Sequence, residues 1–257
     1  MLRIFKIVLF ILAVMGLVSL TVLIKHENTD IWVKDITVNI YRPTEIGFLS
    51  SDIILSELGN IDSIQTLTLR EAEIESIEEL LIVNPHIEHV DSYMTLDGKL
   101  LINVSEKVPV IRIYDTDGKS LYVDKHGNFI PLSNRYTPRV IIASGYIGDM
   151  NIKLSSNIYD SIYINTPLNN VFHINNLILK NELLKSQIGQ VYVNSIGEYD
   201  LIPMLGNHII KLGKTDNIKQ KIENLTSYYK KNLVTEGWNK YRTINLKYKD
   251  QIVCTKK

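Results

Sequence analysis

The chain has 257 residues and carries 28 Lys plus Arg against 28 Asp plus Glu, so its formal charge at pH 7 is zero. That balance, with no basic block, excludes an electrostatic footprint for nucleic acid. Cys254 is the single cysteine, which excludes an intramolecular disulfide and a stapled secreted module, so ordinary apolar cores must hold the fold.

In chain order, the first feature is an apolar run. Ile7 to Ile24 has no charge, and Gly16, Ser19 and Thr21 are its only weakly polar members. A run of that length at helical rise spans about 27 Å, close to the thickness of a bilayer core. It reads as one retained transmembrane helix over residues 7–24, with residues 1–6 as a cytoplasmic tail. Arg3, Lys6 and the amino terminus precede it, whereas Lys25 and His26 are diluted by Glu27 and Asp30. A cleaved signal would have a shorter apolar region and a small-x-small site at its end, and this run ends Thr-Val-Leu-Ile. No second apolar run of this length follows, so the chain is expected to cross once.

Beyond the run, Asp35 to Tyr41 alternates apolar and polar residues and predicts a half-buried strand that Pro43 ends. Ser50-Ser51-Asp52 supplies helix caps before Ile53, Ile54 and Leu58, with Gly59-Asn60 as the stop. A second helix is predicted from about Leu69 to Val83, with Ile74, Ile77, Leu80 and Leu81 on its buried face. Its five glutamates, Glu71, Glu73, Glu75, Glu78 and Glu79, read as a solvated face, since no His or Asp completes a ligand set. Asn84-Pro85 breaks it. Ile87 to Leu96 and Lys99 to Glu106 then predict two strands around the hairpin turn Asp97-Gly98. Strand, helix, helix, strand, strand makes a three-stranded sheet with two helices on one face, an α+β domain over residues 31–108.

Val108-Pro109 marks a tight boundary to a β-rich domain with interleaved helices over residues 109–257. Strands are predicted at Val110–Tyr114, Ser120–Asp124 and Arg139–Ala143, with turns at Asp117-Gly118 and His126-Gly127-Asn128. Thr166-Pro167 opens a helix running toward Leu184. Gln190–Asn194, Tyr199–Pro203 and His208–Leu212 predict three more strands. Thr215-Asp216 caps a helix that buries Ile218, Ile222, Leu225 and Tyr229. Tyr241–Tyr248 and Gln251–Cys254 close the chain as extended segments.

The search for chemistry finds no enzyme signature. There is no G-x-S-x-G elbow, no phosphate loop and no dinucleotide fingerprint. His86 and His89 are three apart, after Pro85 and across a strand start rather than on a helix face, without a third ligand nearby, and Asp115-Thr-Asp117-Gly118 lacks the remainder of a calcium loop. No cofactor, metal or small-molecule substrate is expected. Binding is the alternative, because an exposed sheet edge accepts a partner strand. Ile244, Leu246 and Tyr248 alternate with Asn245 and Lys247 in a segment placed to form such an edge, and the same pattern also suits core packing.

Here the chain resembles a known family. The stretch Asn84-Pro85-His86-Ile87-Glu88, then Asp97 to Pro109 with Val104-Ser105-Glu106-Lys107-Val108-Pro109, is similar to the end of a POTRA module in the FtsQ/DivIB bacterial cell-division proteins, with Lys107 where Arg is common. Tyr122-Val123-Asp124 with Gly127, Ile209 to Gly213 and Ile244-Asn245-Leu246-Lys247-Tyr248 are further matches. The closing Gln251 to Lys256 most resembles Bacteroidetes-type members. The resemblance covers nearly the whole chain. It implies a POTRA-like domain and an FtsQ-type β domain in a non-enzymatic scaffold with one span of the inner membrane. Its C-terminal domains would be periplasmic, at the division septum. It implies FtsB/FtsL-type partners bound largely by strand addition, with Ile244, Leu246, Lys247, Tyr248 and Ile252 as contact residues. Two other readings rank behind it. One is a POTRA-bearing component of outer-membrane protein assembly or secretion, and the other a membrane-anchored periplasmic hydrolase.

Overall fold

The structure, a computed structural model, describes residues 2–27, 32–59, 71–148, 152–233, 237–249 and 251–257. Helix α1 covers Leu2–Glu27 and includes the apolar run. Among the described residues no helix is long and apolar enough to cross a membrane. Side chains of α1 are described at Lys6 and over residues 9–21, so the expected span over residues 7–24 falls partly outside them.

The chain divides into two compact units, residues 1–43 with 49–106 and residues 44–48 with 107–257. In the first unit, β1 (Asp35–Tyr41), α2 (Ser51–Glu57), α3 (Glu71–Ile82), β2 (Ile87–Met94) and β3 (Lys99–Glu106) follow the predicted order. The predicted start of α3 at Leu69 lies outside the described residues. β3 is central, parallel to β1 from Asp35↔Lys99 to Tyr41↔Ser105 and antiparallel to β2. Alternation decides the faces: Leu100, Ile102 and Val104 are buried with Ile87 and Val90 of β2, Ile54 of α2, and Ile77 and Leu81 of α3. Leu80 was expected on that face but is 52% exposed. Ile77 and Leu81, four apart, already define the buried stripe, and Leu80 falls beside it. Strand β2 ends at Met94 rather than Leu96. Thr95 N–H bonds Lys99 O at 2.9 Å and Gly98 N–H bonds Thr95 O at 3.0 Å, closing a three-residue loop with Gly98 at φ +89°. The unit is also fastened by a buried carboxylate. Glu106 Oε2 accepts from Leu49 N at 3.2 Å and pairs with Arg42 Nη1 at 3.4 Å, and Arg42 also donates to Leu49 O.

In the second unit nine strands form one sheet. They are β4 (Pro109–Tyr114), β5 (Ser120–Asp124), β6 (Phe129–Ile130), β7 (Ile141–Gly145), β8 (Ile188–Val193), β9 (Tyr199–Pro203), β10 (Ile209–Gly213), β11 (Tyr241–Asn245) and β12 (Val253–Lys256). Their order is β12-β11-β10-β9-β8-β7-β4-β5-β6. The β4–β7, β7–β8 and β10–β11 pairs are parallel and the others antiparallel. Inward residues Ile111, Ile113, Val123, Ala143, Val191, Val193, Leu201, Ile210, Leu212 and Ile244 form one core with the helices α4 (Pro167–Leu179), α5 (Glu182–Gln187) and α6 (Ile218–Tyr228).

Several boundaries differ from expectation for local reasons. The helix predicted toward Leu184 stops at Leu179. Asn181 then caps a second helix, its Oδ1 accepting Leu184 N–H at 3.2 Å, while its Nδ2 donates to Thr226 Oγ1. The start at Thr166-Pro167 is as predicted, with Thr166 Oγ1 accepting Asn169 N–H at 3.3 Å. Helix α6 is preceded by Asn217 at φ +49°, not by a Thr215-Asp216 cap; Asp216 instead pairs with Lys221 Nζ at 3.3 Å. Strand β6 has no counterpart in the sequence reading. It is two residues long, and the buried Asp124 carboxylate shapes the turn into it by accepting N–H bonds from His126 and Asn128.

One face of this sheet carries the helices. On the other, Phe48 packs against Tyr122 with tilted rings 6.0 Å apart and meets Tyr136 edge-on at 5.3 Å. Further along the same face, Ile142, Tyr192 and Ile209 are 39%, 36% and 41% exposed.

Candidate functional site

The end of the sheet formed by β10, β11 and β12 collects every residue that the sequence singled out for binding. β11 runs parallel to β10 through Ile209↔Thr243, Ile210↔Ile244 and Lys211↔Asn245, the geometry expected when a helix, here α6, carries the crossover. β12 then returns antiparallel through Tyr241↔Lys256, Thr243↔Thr255, Ile244↔Cys254 and Asn245↔Val253. The outer position therefore belongs to β12. The strand through Ile244, expected at the edge, is enclosed on both sides.

The predicted strand Tyr241–Tyr248 also ends early. Asn245 Oδ1 accepts the N–H of Lys247 at 3.0 Å, a turn that takes the backbone out of the ladder, although Leu246 N–H still reaches Lys211 O at 2.9 Å. The five expected contact residues separate accordingly. Ile244 and Leu246 are buried in the core, so their side chains are not offered to a partner. Ile252 is partly buried against that core. Tyr248 is 53% exposed.

Lys247 lies over Gly213, where a Cβ would come within 2.7 Å of Lys247 Cγ, and its Nζ reaches Glu198 Oε1 at 2.8 Å. Hydrogen bonding to Lys247 holds the Glu198 carboxyl below the usual range, and the same contact holds the Lys247 ammonium above its usual range. Both groups stay charged at neutral pH. The pair fixes the bend after β11 and contributes little to stability, because exposed ion pairs are screened.

The sequence reading assigned nothing to Val253, Thr255 and Lys256, yet these form the outer strand. Val253, Thr255 and Lys256 are exposed and Cys254 is half-buried, its thiol donating to the Tyr228 hydroxyl at 3.2 Å. The usable signal was the short extended run Gln251–Cys254 itself, read only as the chain's close.

Behind the edge sits a second cluster that pattern did not flag. His208 is buried at the entry to β10, its Nε2 2.9 Å from the Tyr229 hydroxyl, and Tyr229 meets Trp238 edge-on with ring centres 5.4 Å apart. Burial pushes the His208 imidazole below its ordinary range, outweighing a backbone hydrogen bond at Trp238 that favours the charged form. His208 is thus neutral in the folded chain, while the unfolded chain takes up a proton near pH 6.5. Its contribution to stability is complete above that pH and is lost as pH falls through and below it. In urea melts of wild type and His208→Gln between pH 7.5 and 5, wild type should lose stability faster, by up to about 1.4 kcal/mol per pH unit. Parallel pH profiles would remove His208 as the cause.

Among the described residues no group of three or more His, Cys, Asp or Glu could hold a metal ion. An open groove of about 370 Å³ runs between α4 and α6 past Leu177, Lys180, Lys219 and Thr226.

The larger sheet of this two-unit α+β chain ends in a strand paired on one side only, and a sheet edge of that kind can accept a partner strand. Residues 108–255, more than half of the chain and nearly all of the second unit, match the family described as FtsQ/DivIB, C-terminal related, and the chain belongs to that family. This membership associates the chain with cell division. No curated protein matches the chain.

Proposed function

We propose that the chain is a bitopic, non-enzymatic scaffold of the bacterial division machinery that receives a strand from an FtsB/FtsL-type partner on the outer edge of β12. The observation that carries this reading is the position of β12 at the end of the sheet, four residues long, paired on one side only. Tyr248, exposed beside the bend after β11, and Ile252, at the entry to β12, flank the added strand. Ile244 and Leu246 support it from the core. Lys247 and Lys249 limit uncontrolled pairing by placing charge next to the edge.

The apolar run Ile7–Ile24 is the tether in this reading, holding a POTRA-like first unit and the β domain on the periplasmic side of the inner membrane. Its support is the charge-free sequence and the spread of exposed apolar side chains around α1. Leu9, Phe10, Ile11 and Leu12 already circle one turn, leaving no polar face to turn toward water. Tethering raises the local concentration of partners anchored in the same membrane.

Imaging tests the role. A fluorescent fusion of the full chain, expressed from its own locus, should gather at mid-cell during constriction and fractionate with membranes. An even distribution around dividing cells would count against the scaffold, and recovery in the soluble fraction would count against the tether.

A further inference from the structure

The open face of the nine-stranded sheet carries a second surface, separate from the β12 edge. Ile111 and Ile113 point into the core, so Arg112 between them stands on the open face. Its guanidinium is held in place: Nε and Nη2 donate to Ser120 Oγ at 3.3 and 3.0 Å, and Cζ lies 4.7 Å from the Tyr114 ring centre and 5.4 Å from that of Tyr122. The side chain is half-buried, yet among the described residues no carboxylate lies within 4.0 Å of it. Among the described residues, half-buried Arg42 pairs with Glu106 and buried Lys221 with Asp216. Arg112 is instead oriented by aromatic rings and a neutral hydroxyl, with guanidinium donors to spare.

Of its two neighbours across the strands, Tyr122 on β5 is buried and Ile142 on β7 is apolar and exposed. Arg112 is in register with Ile142, Ile142 with Gln190, and Ser144 with Tyr192. Gln190 Nε2 donates to Ser144 Oγ at 2.7 Å, so the polar groups between the apolar ones are already satisfied. A fixed arginine among tyrosines and exposed isoleucines has the composition of an interface hot spot. The guanidinium fork matches a carboxylate, and stacking lowers the entropy lost on binding one.

We infer that this face docks a protein segment that brings a carboxylate to Arg112, flanked by aliphatic side chains that cover Ile142 and Tyr192. The occupant is set by charge complementarity: the surface supplies a cation that no carboxylate among the described residues pairs with, and the partner supplies the anion.

The test is photo-crosslinking in the full chain, expressed in its own cells with p-benzoylphenylalanine in place of Tyr192. The expected adduct is to a different protein, at a peptide containing Asp or Glu. Two substitutions at the exposed Ile142 separate charge from packing. Ile142→Glu should cut the adduct at least tenfold and Ile142→Lys should keep it, since both remove the same apolar contact and differ in sign. Arg112→Gln should match Ile142→Glu. A crosslinker at Val253, on the β12 edge, should react equally in all variants. The inference is overturned if Glu and Lys at 142 act alike, if the adduct is to lipid or to a second copy of this chain, if no adduct forms, or if the Val253 adduct is lost together with that at Tyr192.

Discussion

A chain lacking residues 251–257 should fold and fail to capture an FtsB/FtsL-type partner. The deletion removes β12 and nothing that is fully buried, since Ile252 and Cys254 are only partly covered. The lost apolar contact is worth about 1–2 kcal/mol, or roughly 2–8 °C in melting temperature for a unit of this size. Partner retention in a pull-down should fall at least tenfold, a loss of about 1.4 kcal/mol or more in binding. Tyr248→Ala should weaken capture less and leave the melt unchanged, because that side chain is mostly in solvent. Cutting before Ile244, the choice suggested by the sequence pattern, would be a poor test. It also removes Ile244 and Leu246 from the core and would report on folding. Full capture by the 251–257 deletion would sink the edge assignment.

The largest stability effect is expected from Gly145→Ala. Gly145 ends β7 at φ +98°, and a Cβ there would meet Val193 O at 2.1 Å. The obstructing atom cannot step aside. Val193 O accepts the N–H of Tyr146 at 2.9 Å, and Val193 is itself in register with Gly145. Strained backbone costs about 1–3 kcal/mol and the clash adds to it, so the variant should lose about 3 kcal/mol or more. Gly148→Ala is the internal control. Gly148 has φ +114° but nothing within 4 Å of its Cβ, so it bears the backbone strain alone. Urea melts of the two variants should differ by about 2 kcal/mol. Equal losses would mean that the neighbour gives way and the clash is not real.

The legible parts of the fold were those where a turn residue sits beside a clean alternation. Lys99–Glu106, Ser120–Asp124 and Tyr199–Pro203 lie where expected because Gly98, Gly118 and Gly197 take the positive φ that their turns require. Boundaries set by a side chain bonding to backbone were not legible. Asn181, Asn245 and Asn217 each stop or start an element, and nothing in composition distinguishes them from asparagines in ordinary loops. The candidate site suffered most from this. Without the turn at Asn245, the pattern runs unbroken to Tyr248 and the edge is assigned one strand too early. Strand order is a tertiary property, and alternation alone does not say which of two adjacent strands is outermost. Arg112 was invisible for a related reason: its stacking partners Tyr114 and Tyr122 come together only when β4 pairs with β5.

The order of strands also bears on how the second unit is assembled in time. β4–β5–β6 and β8–β9–β10 are two antiparallel meanders, each closed by short turns and able to form from local contacts. β7 is the seam between them, parallel to both neighbours, and its pairs Ile111↔Ile141 and Ile142↔Gln190 each bridge a long stretch of chain. Loop-closure entropy is spent on such pairs late, after the local pieces exist. Damage to β7 would then leave the early steps of folding nearly untouched and act by hastening unfolding. The sheet's slowest joint to form would also be its first to open.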